Sequence, residues 1–257
     1  MSSIKDHIVL ITGASSGIGA ACGRAFAGAG AHVILAGRRT ERLEAAAGQL
    51  RREFGVETLP ITLDVTQRGQ VFEVLGNLPA RWAAIDVLVN NAGLSRGLDR
   101  LQEGQLQDWE EMLDTNVKGL LYVTRAVLPG MIARGRGHVI NLGSIAGREA
   151  YPGGNVYCAT KSAVAMLTRG LRMDLLGTPI RVTCVEPGMV ETEFSIVRFR
   201  GDRERAAKVY QGLQPLTADD IADAILYCAT RPAHVNVQDM LIMPTAQASA
   251  TMAHRKP

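Results

Sequence analysis

The chain has 257 residues, 47% of them hydrophobic and 21% charged, and 28 Lys+Arg against 25 Asp+Glu give a net charge of +3. Such a composition can bury a sizeable core, and it excludes disordered, collagen-like and coiled-coil chains. Basic and acidic residues are interspersed, so no nucleic-acid partner is indicated, and no apolar run approaches the ~18–20 residues of a membrane helix.

Residues 1–13 run straight into a strand pattern, without the basic and apolar regions of an export signal. Cys22, Cys158, Cys184 and Cys228 are far apart and form no Cys-x-x-Cys or Cys/His spacing suited to zinc. Reduced thiols, a cytoplasmic location and no metal site are therefore expected. No linker or shift of composition divides the chain, so one domain over 1–257 is expected.

In chain order, short runs rich in β-branched residues alternate with longer helix-period stretches. The pattern predicts strands over 7–12, 32–36, 58–63, 87–90, 138–142, 181–185 and 240–243. Helices are predicted over 17–29, 41–54, 67–80, 109–134, 155–176, 203–211 and 218–230. This is an α/β order, which right-handed crossovers wind into a doubly wound (Rossmann) seven-stranded parallel sheet with helices on both faces. Ligands of such sheets bind beyond the carboxyl ends of the strands, which directs attention to the residues just after each one.

After the first strand come Gly13, Ser15, Ser16, Gly17, Ile18 and Gly19, opening a helix. Glycines let the backbone approach a ligand, and the N–H groups of a helix start favour an anion such as a pyrophosphate. The spacing is Gly-x-x-x-Gly-x-Gly, not the commoner Gly-x-Gly-x-x-Gly, and a plain tight turn is the alternative. Where an NAD site carries a carboxylate at the end of the second strand, this chain has Arg38 and Arg39. Two guanidiniums neutralise a 2′-phosphate, so NADP(H) is the expected cofactor. The alternative is a solvated helix start, with Thr40 as cap and Arg39 facing water. Asp64 suits either a hydrogen bond to the adenine amino group or a cap for Thr66.

Tyr157 and Lys161 lie four apart on one predicted helical face. A lysine cation near a phenol favours the phenolate and lowers its pKa from about 10, which makes Tyr157 a usable acid/base. The run Thr12–Gly19, Asn90-Asn91-Ala92-Gly93, Asn116, Ser144, Tyr157-x-x-x-Lys161 and Pro187-Gly188 with Thr192 together resemble the short-chain dehydrogenase/reductase family, in its order and spacing. That resemblance implies an oxidoreductase in which Ser144 binds the substrate carbonyl and Tyr157 moves the hydroxyl proton. It implies that Lys161 holds the nicotinamide ribose and depresses the tyrosine pKa, and that Asn116 perturbs its helix and holds a relay water. Asn91, Ala92, Gly93, Val65, Pro187, Gly188, Val190 and Thr192 are implied as further cofactor contacts. Gly143 departs from the family, which often has another serine there.

The C-terminal third, including Thr192-Glu193-Phe194-Ser195 and Val197-Arg198-Phe199, resembles the NADP-dependent 3-hydroxy acid dehydrogenases, with serine 3-dehydrogenase and malonic semialdehyde reductase activities. Reductases of sulfoacetaldehyde and clavulanate-type aldehydes share parts of the pattern and remain an alternative. A small acidic substrate needs a fixed cation, because burying an unpaired anion is costly. Arg198 and Arg148 are the two candidates, Arg198 preferred; solvated arginines are the alternative. The resemblance also implies a substrate lid at about 189–215 and a homotetramer, with the helices around 109–134 and 155–176 pairing and the C-terminal tail near a neighbour.

Two other classes compete. Gly93-Leu94-Ser95-Arg96-Gly97 satisfies the Gly-x-Ser-x-Gly elbow of serine hydrolases, which requires a helix straight after the serine and an acid/histidine pair downstream. A non-catalytic NADP-binding regulator on the same fold is the other. Trp82 and Trp109 read as packing anchors.

Overall fold

A computed structural model of the protein describes residues 3–256. Its centre is a seven-stranded sheet in the order β3-β2-β1-β4-β5-β6-β7, parallel throughout. The strands are β1 (Ile8–Thr12), β2 (His32–Gly37), β3 (Thr58–Thr62), β4 (Val87–Asn90), β5 (Gly137–Leu142), β6 (Ile180–Pro187) and β7 (Asp239–Ile242). All seven predicted strands are present, β4 at its predicted ends and the others within two residues of theirs.

Successive side chains of a strand point to opposite faces, and this divides the interior in two. Val9 and Ile11 of β1, with Val33, Leu35, Val89 and Ile140, face α1 (Gly17–Gly28), α2 (Thr40–Phe54) and α9 (Ala218–Ala229), where Phe26, Leu43, Ile221 and Ile225 are fully buried. Ile8, Leu10, Ile34, Leu88, Val139 and Val182 form the other core, against α3 (Arg68–Gly76) and α5 (Leu120–Arg134). Strands apolar on both faces belong in the middle of a doubly covered parallel sheet. Trp82 lies in the second core.

The helix predicted over 109–134 is not continuous. It begins as α4 (Leu106–Leu113), widens into a π-helical stretch over Asp114–Gly119, and resumes as α5. α3 stops at Gly76, short of its predicted end, where Asn77 bonds back to Glu73 through its backbone and side-chain nitrogens. α6 (Asn155–Asp174) starts as predicted and stops two residues short, whereas α7 (Phe194–Arg198) is too short to show periodicity and α8 (Arg203–Lys208) ends early. α9 starts at a Thr217/Asp220 capping box.

Candidate active site

The ends of β1 and β4, where the strand order reverses, are stitched together. Thr12 Oγ1 accepts the backbone N–H groups of Asn91 and Ala92 at 3.1 and 3.0 Å, and Asn91 Nδ2 donates to the Thr12 carbonyl at 2.8 Å. Between them the loop turns through Gly13 (φ +66°) and Gly17 (φ +53°), a left-handed backbone that favours glycine. Gly19 is a packing residue: a Cβ there would stand 2.5 Å from Asn91 Nδ2, and Gly19 does not line the cavity above. Ser16, the N-cap of α1, makes no side-chain cap bond and no acidic residue lies in the first turn, so this helix start favours an anion.

That cavity has a volume of about 660 Å³ and runs along the carboxyl edge of the sheet. Gly13, Ser15, Ser16, Gly17, Ile18, Arg38, Arg39, Asp64, Val65, Asn91, Ala92 and Gly93 line it, and so do Ser144, Tyr157, Lys161, Pro187, Gly188, Val190, Thr192 and Arg198. Asn116 and Arg148 do not. The volume, the glycine cradle and the basic edge fit a dinucleotide with room for a small substrate.

At one end of the cavity, Arg38 is exposed and makes no hydrogen bond or ion pair to protein groups among the described residues. Arg39 does not simply face water: its Nε donates to Ser15 Oγ (3.0 Å), its Nη2 to Ser16 Oγ (2.5 Å) and its Nη1 to Glu193 Oε2 (2.8 Å). Thr40 bonds Thr62 and does not cap α2. Asp64 both lines the cavity and caps the following turn, its Oδ1 accepting the Thr66 backbone and hydroxyl at 3.0 and 2.8 Å.

At the other end, Ser144, Tyr157 and Lys161 converge and are buried. Ser144 Oγ accepts the Ala146 N–H at 3.1 Å, and Lys161 Nζ donates to the Leu142 carbonyl at 2.8 Å. Asn116, within the π-helical stretch, closes a two-way bond with the Leu94 backbone (2.8 Å each way) and donates to Thr160 Oγ1 at 3.0 Å. A Cβ on Gly93 would be 3.2 Å from Asn116 Oδ1 and 3.7 Å from Lys161 Nζ, so this glycine lets both groups approach.

The electrostatics differ from the sequence expectation. Burial pushes the Tyr157 phenol well above its ordinary value; the forces pulling it down are the Arg198 cation and the neighbouring Ser144 hydroxyl. Lys161 is not among the leading influences: its Nζ is 5.9 Å from the Tyr157 ring centroid, and burial lowers its own pKa to about 8. Arg198 Nη2 donates to Tyr151 Oη at 3.0 Å, and its guanidinium lies 5.4 and 5.2 Å from the Tyr157 and Phe194 ring centroids. Its Nε is buried without an acceptor, and no carboxylate pairs with it among the described residues. Arg148 is ruled out as the substrate's cation, because Nε (2.8 Å) and Nη2 are both spent on the buried carboxylate of Glu186, outside the cavity.

A family model described as short chain dehydrogenase matches residues 7–202. The chain belongs to the short-chain dehydrogenase family. The NADP-dependent 3-hydroxy acid dehydrogenase of Salmonella typhi is 51% identical over 250 residues, 96% of this chain and 99% of that one. Its namesake in Schizosaccharomyces pombe is 45% identical over 257 residues, 100% and 99% of the two chains. Among solved structures, the closed form of a serine dehydrogenase complexed with NADP+ superposes with a TM-score of 0.90 at 48% identity, covering 97% of this chain and 100% of that one.

In this short-chain dehydrogenase the glycine at 143 has a local cause. A Cβ there would come within 2.7 Å of Cys184 Sγ and 2.8 Å of Glu186 Cγ, so β6 leaves no room for a serine. The hydrolase elbow is not formed: Ser95 is 1% exposed and no α-helix follows until Leu106. Cys184, Glu186 and Asp239 lie within 4.8 Å of one another, but Arg148 and Arg172 take the two carboxylates. Sequence reasoning missed Tyr151, Gln247, Ala250 and Arg255, all of which line the cavity. Tyr151 carries no motif, and the last three reach the site only because the tail folds back, with Lys256 N–H bonding Gly212 and Arg255 bonding Val209 and Gln211. The tail expected near a neighbouring subunit also packs on its own chain through these bonds.

Proposed function

We propose that the protein is an NADP-dependent oxidoreductase that interconverts a small 3-hydroxy acid, of the serine, 3-hydroxypropionate or malonic semialdehyde type, with its carbonyl form. The observation that carries this reading is Arg198: a guanidinium with a buried, unpartnered Nε, beside Tyr157, with no carboxylate paired to it among the described residues, the Glu193 carboxylate of the same cavity being taken by Arg39 and Arg42. A half-buried cation with an unpartnered Nε favours an anionic ligand, held through charge-assisted hydrogen bonds. The relatives named above, with NADP and 3-hydroxy acid or serine in their names, support the same cofactor and substrate class.

When bound, the nicotinamide cofactor supplies hydride transfer, and the chain supplies binding, orientation and a proton. Gly13, Gly17 and the start of α1 hold the pyrophosphate, Arg38 and Arg39 hold the 2′-phosphate, and Lys161 holds the nicotinamide ribose. Asp64, Val65, Asn91, Ala92, Gly93, Pro187, Gly188, Val190 and Thr192 shape the remainder of the cleft. Arg198 fixes the substrate carboxylate, and Ser144 donates a hydrogen bond to the carbonyl oxygen. Tyr157 then gives its Oη proton to that oxygen during reduction, or takes it back during oxidation. Burial keeps the phenol protonated near neutral pH, the form needed for reduction. Asn116 keeps the π-helical turn fixed beside Lys161, consistent with a proton path on that side.

Residues 189–215 act as the substrate lid of a single-domain enzyme. The working form is a cytoplasmic homotetramer; exposed Met166 and Met173 on α6 and Leu121 and Ile132 on α5 support helix-to-helix contacts between subunits. No helix of the described residues is long and apolar enough to cross a membrane. Tyr157→Phe tests the chemistry: it abolishes NADP-linked oxidation of L-serine and 3-hydroxypropionate while NADP+ still binds. Retained turnover would remove Tyr157 from the proton step.

A further inference from the structure

The lid base is tied to the adenosine edge of the cleft by a charged bridge through Glu193, a residue to which the proposed mechanism gives no role. Glu193 stands just before α7, on the β6 side. Its Oε2 accepts from Arg39 Nη1 at 2.8 Å, and its Oε1 and Oε2 accept from Arg42 Nη1 at 2.9 and 3.2 Å. Arg39 and Arg42 belong to the β2–α2 side. In the order β3-β2-β1-β4-β5-β6-β7, strands β1, β4 and β5 lie between the two sides, so the bridge crosses the cleft above the phosphate loop. The same segment comes down onto that loop, since a Cβ on Gly17 would be 3.3 Å from Thr192 Cβ.

Arg39 is engaged on three nitrogens, by Ser15, Ser16 and Glu193, whereas Arg38 next to it has no protein partner among the described residues. Two acceptors of like charge cannot share one guanidinium nitrogen without repulsion. We propose that Glu193 is a cofactor-specificity residue: its carboxylate competes with the 2′-phosphate for Arg39, and the phosphate displaces it onto Arg42, loosening the lid base. This rests on the assignment of the 2′-phosphate to Arg38 and Arg39. A coenzyme without that phosphate leaves the bridge closed. The two guanidiniums, Arg39 first, hold the Glu193 carboxyl down to about 2, so the competitor is charged throughout the working pH range. The bridge is partly solvated, with Glu193, Arg39 and Arg42 side chains 41%, 42% and 52% exposed, so the competition is modest.

Glu193→Gln keeps the shape and removes the charge. Dissociation constants of NADP+, NAD+, adenosine 2′,5′-bisphosphate and adenosine 5′-monophosphate, measured by calorimetry, read the effect without turnover. Glu193→Gln should tighten NADP+ and the bisphosphate by roughly two- to fivefold, the scale of an exposed ion pair, and leave NAD+ and the monophosphate unchanged. By linkage, hydrogen exchange over residues 194–212 should rise on adding the bisphosphate to the unsubstituted protein, and should already be raised in Glu193→Gln. An NADP+ preference that Glu193→Gln leaves unchanged or weakens would overturn the competition and mark Glu193 as a passive or supporting part of the cradle. Equal affinity of the unsubstituted protein for NADP+ and NAD+ would instead remove the phosphate site, and both the cofactor assignment and this inference with it.

Discussion

Arg198→Met is the perturbation that separates substrate recognition from the rest of the site. Methionine keeps an apolar side chain beside the Phe194 and Tyr157 rings and removes the guanidinium, with its buried Nε and its bond to Tyr151 Oη at 3.0 Å. A hydrogen bond to a charged partner contributes roughly 1.5–3 kcal/mol, and each ~1.4 kcal/mol is tenfold, so kcat/KM for malonic semialdehyde should fall by about 10- to 150-fold. The loss should appear mainly in KM, because the carboxylate is held equally in ground and transition states. A neutral aldehyde of similar size should lose no more than a few-fold, since reduction needs only a protonated Tyr157. The second signature is in pH. Arg198 is the cation that pulls the Tyr157 phenol down, so without it the alkaline rise in alcohol oxidation moves to higher pH. The assay is NADPH consumption with the two aldehydes and NADP+ reduction across pH, with a thermal melt to verify folding. Equal losses on acidic and neutral substrates, or an unchanged KM for the acid, would refute the anchor.

The other arginine should behave oppositely. Arg148→Met leaves the Glu186 carboxylate, 1% exposed, without its partner; breaking a buried pair costs about 3–5 kcal/mol, reduced here to about 2–3 because Arg148 is 38% exposed, so denaturant melts shift while KM for the acid does not. Gly143→Ser restores the residue common in the family but forces a Cβ against Cys184 and Glu186; overpacking of about 1–3 kcal/mol should lower the melting temperature with no gain in rate. Lys161 has a folded pKa of about 8 against its ordinary 10.5, so the unfolded chain binds more protons between those values and stability rises with pH across that window. Relative to Lys161→Met, the unsubstituted protein should gain up to about 3 kcal/mol between pH 8 and 10.5, measured by urea melts; a flat difference would show that burial of the ammonium is not the dominant influence.

What the sequence revealed was set by how local each cause is. The β1–loop–α1 cradle and the Tyr157/Lys161 pair depend on residues a few positions apart, and the structure places both on the cavity. The break at Asp114–Gly119 does not follow from helical periodicity, because it accompanies the Asn116 bonds to Leu94, 22 residues away. Arg148 and Arg198 look alike along the chain; what separates them is Glu186, 38 residues from Arg148 and on the neighbouring strand. The pull of Lys161 on Tyr157 was expected from one-face spacing alone, but side-chain direction sends its ammonium to the Leu142 carbonyl. The tail residues Gln247, Ala250 and Arg255 reach the cavity through a return of the chain that no motif encodes.

The proposed function is hydride transfer in this cavity between NADP and a small acid. The direct measurement is kcat/KM for NADP+-linked oxidation of L-serine and 3-hydroxypropionate beside a neutral alcohol of the same size, repeated with NAD+. A clear advantage for the acids and for NADP+ is expected. Turnover of the neutral alcohol alone, or equal use of both coenzymes, would contradict it.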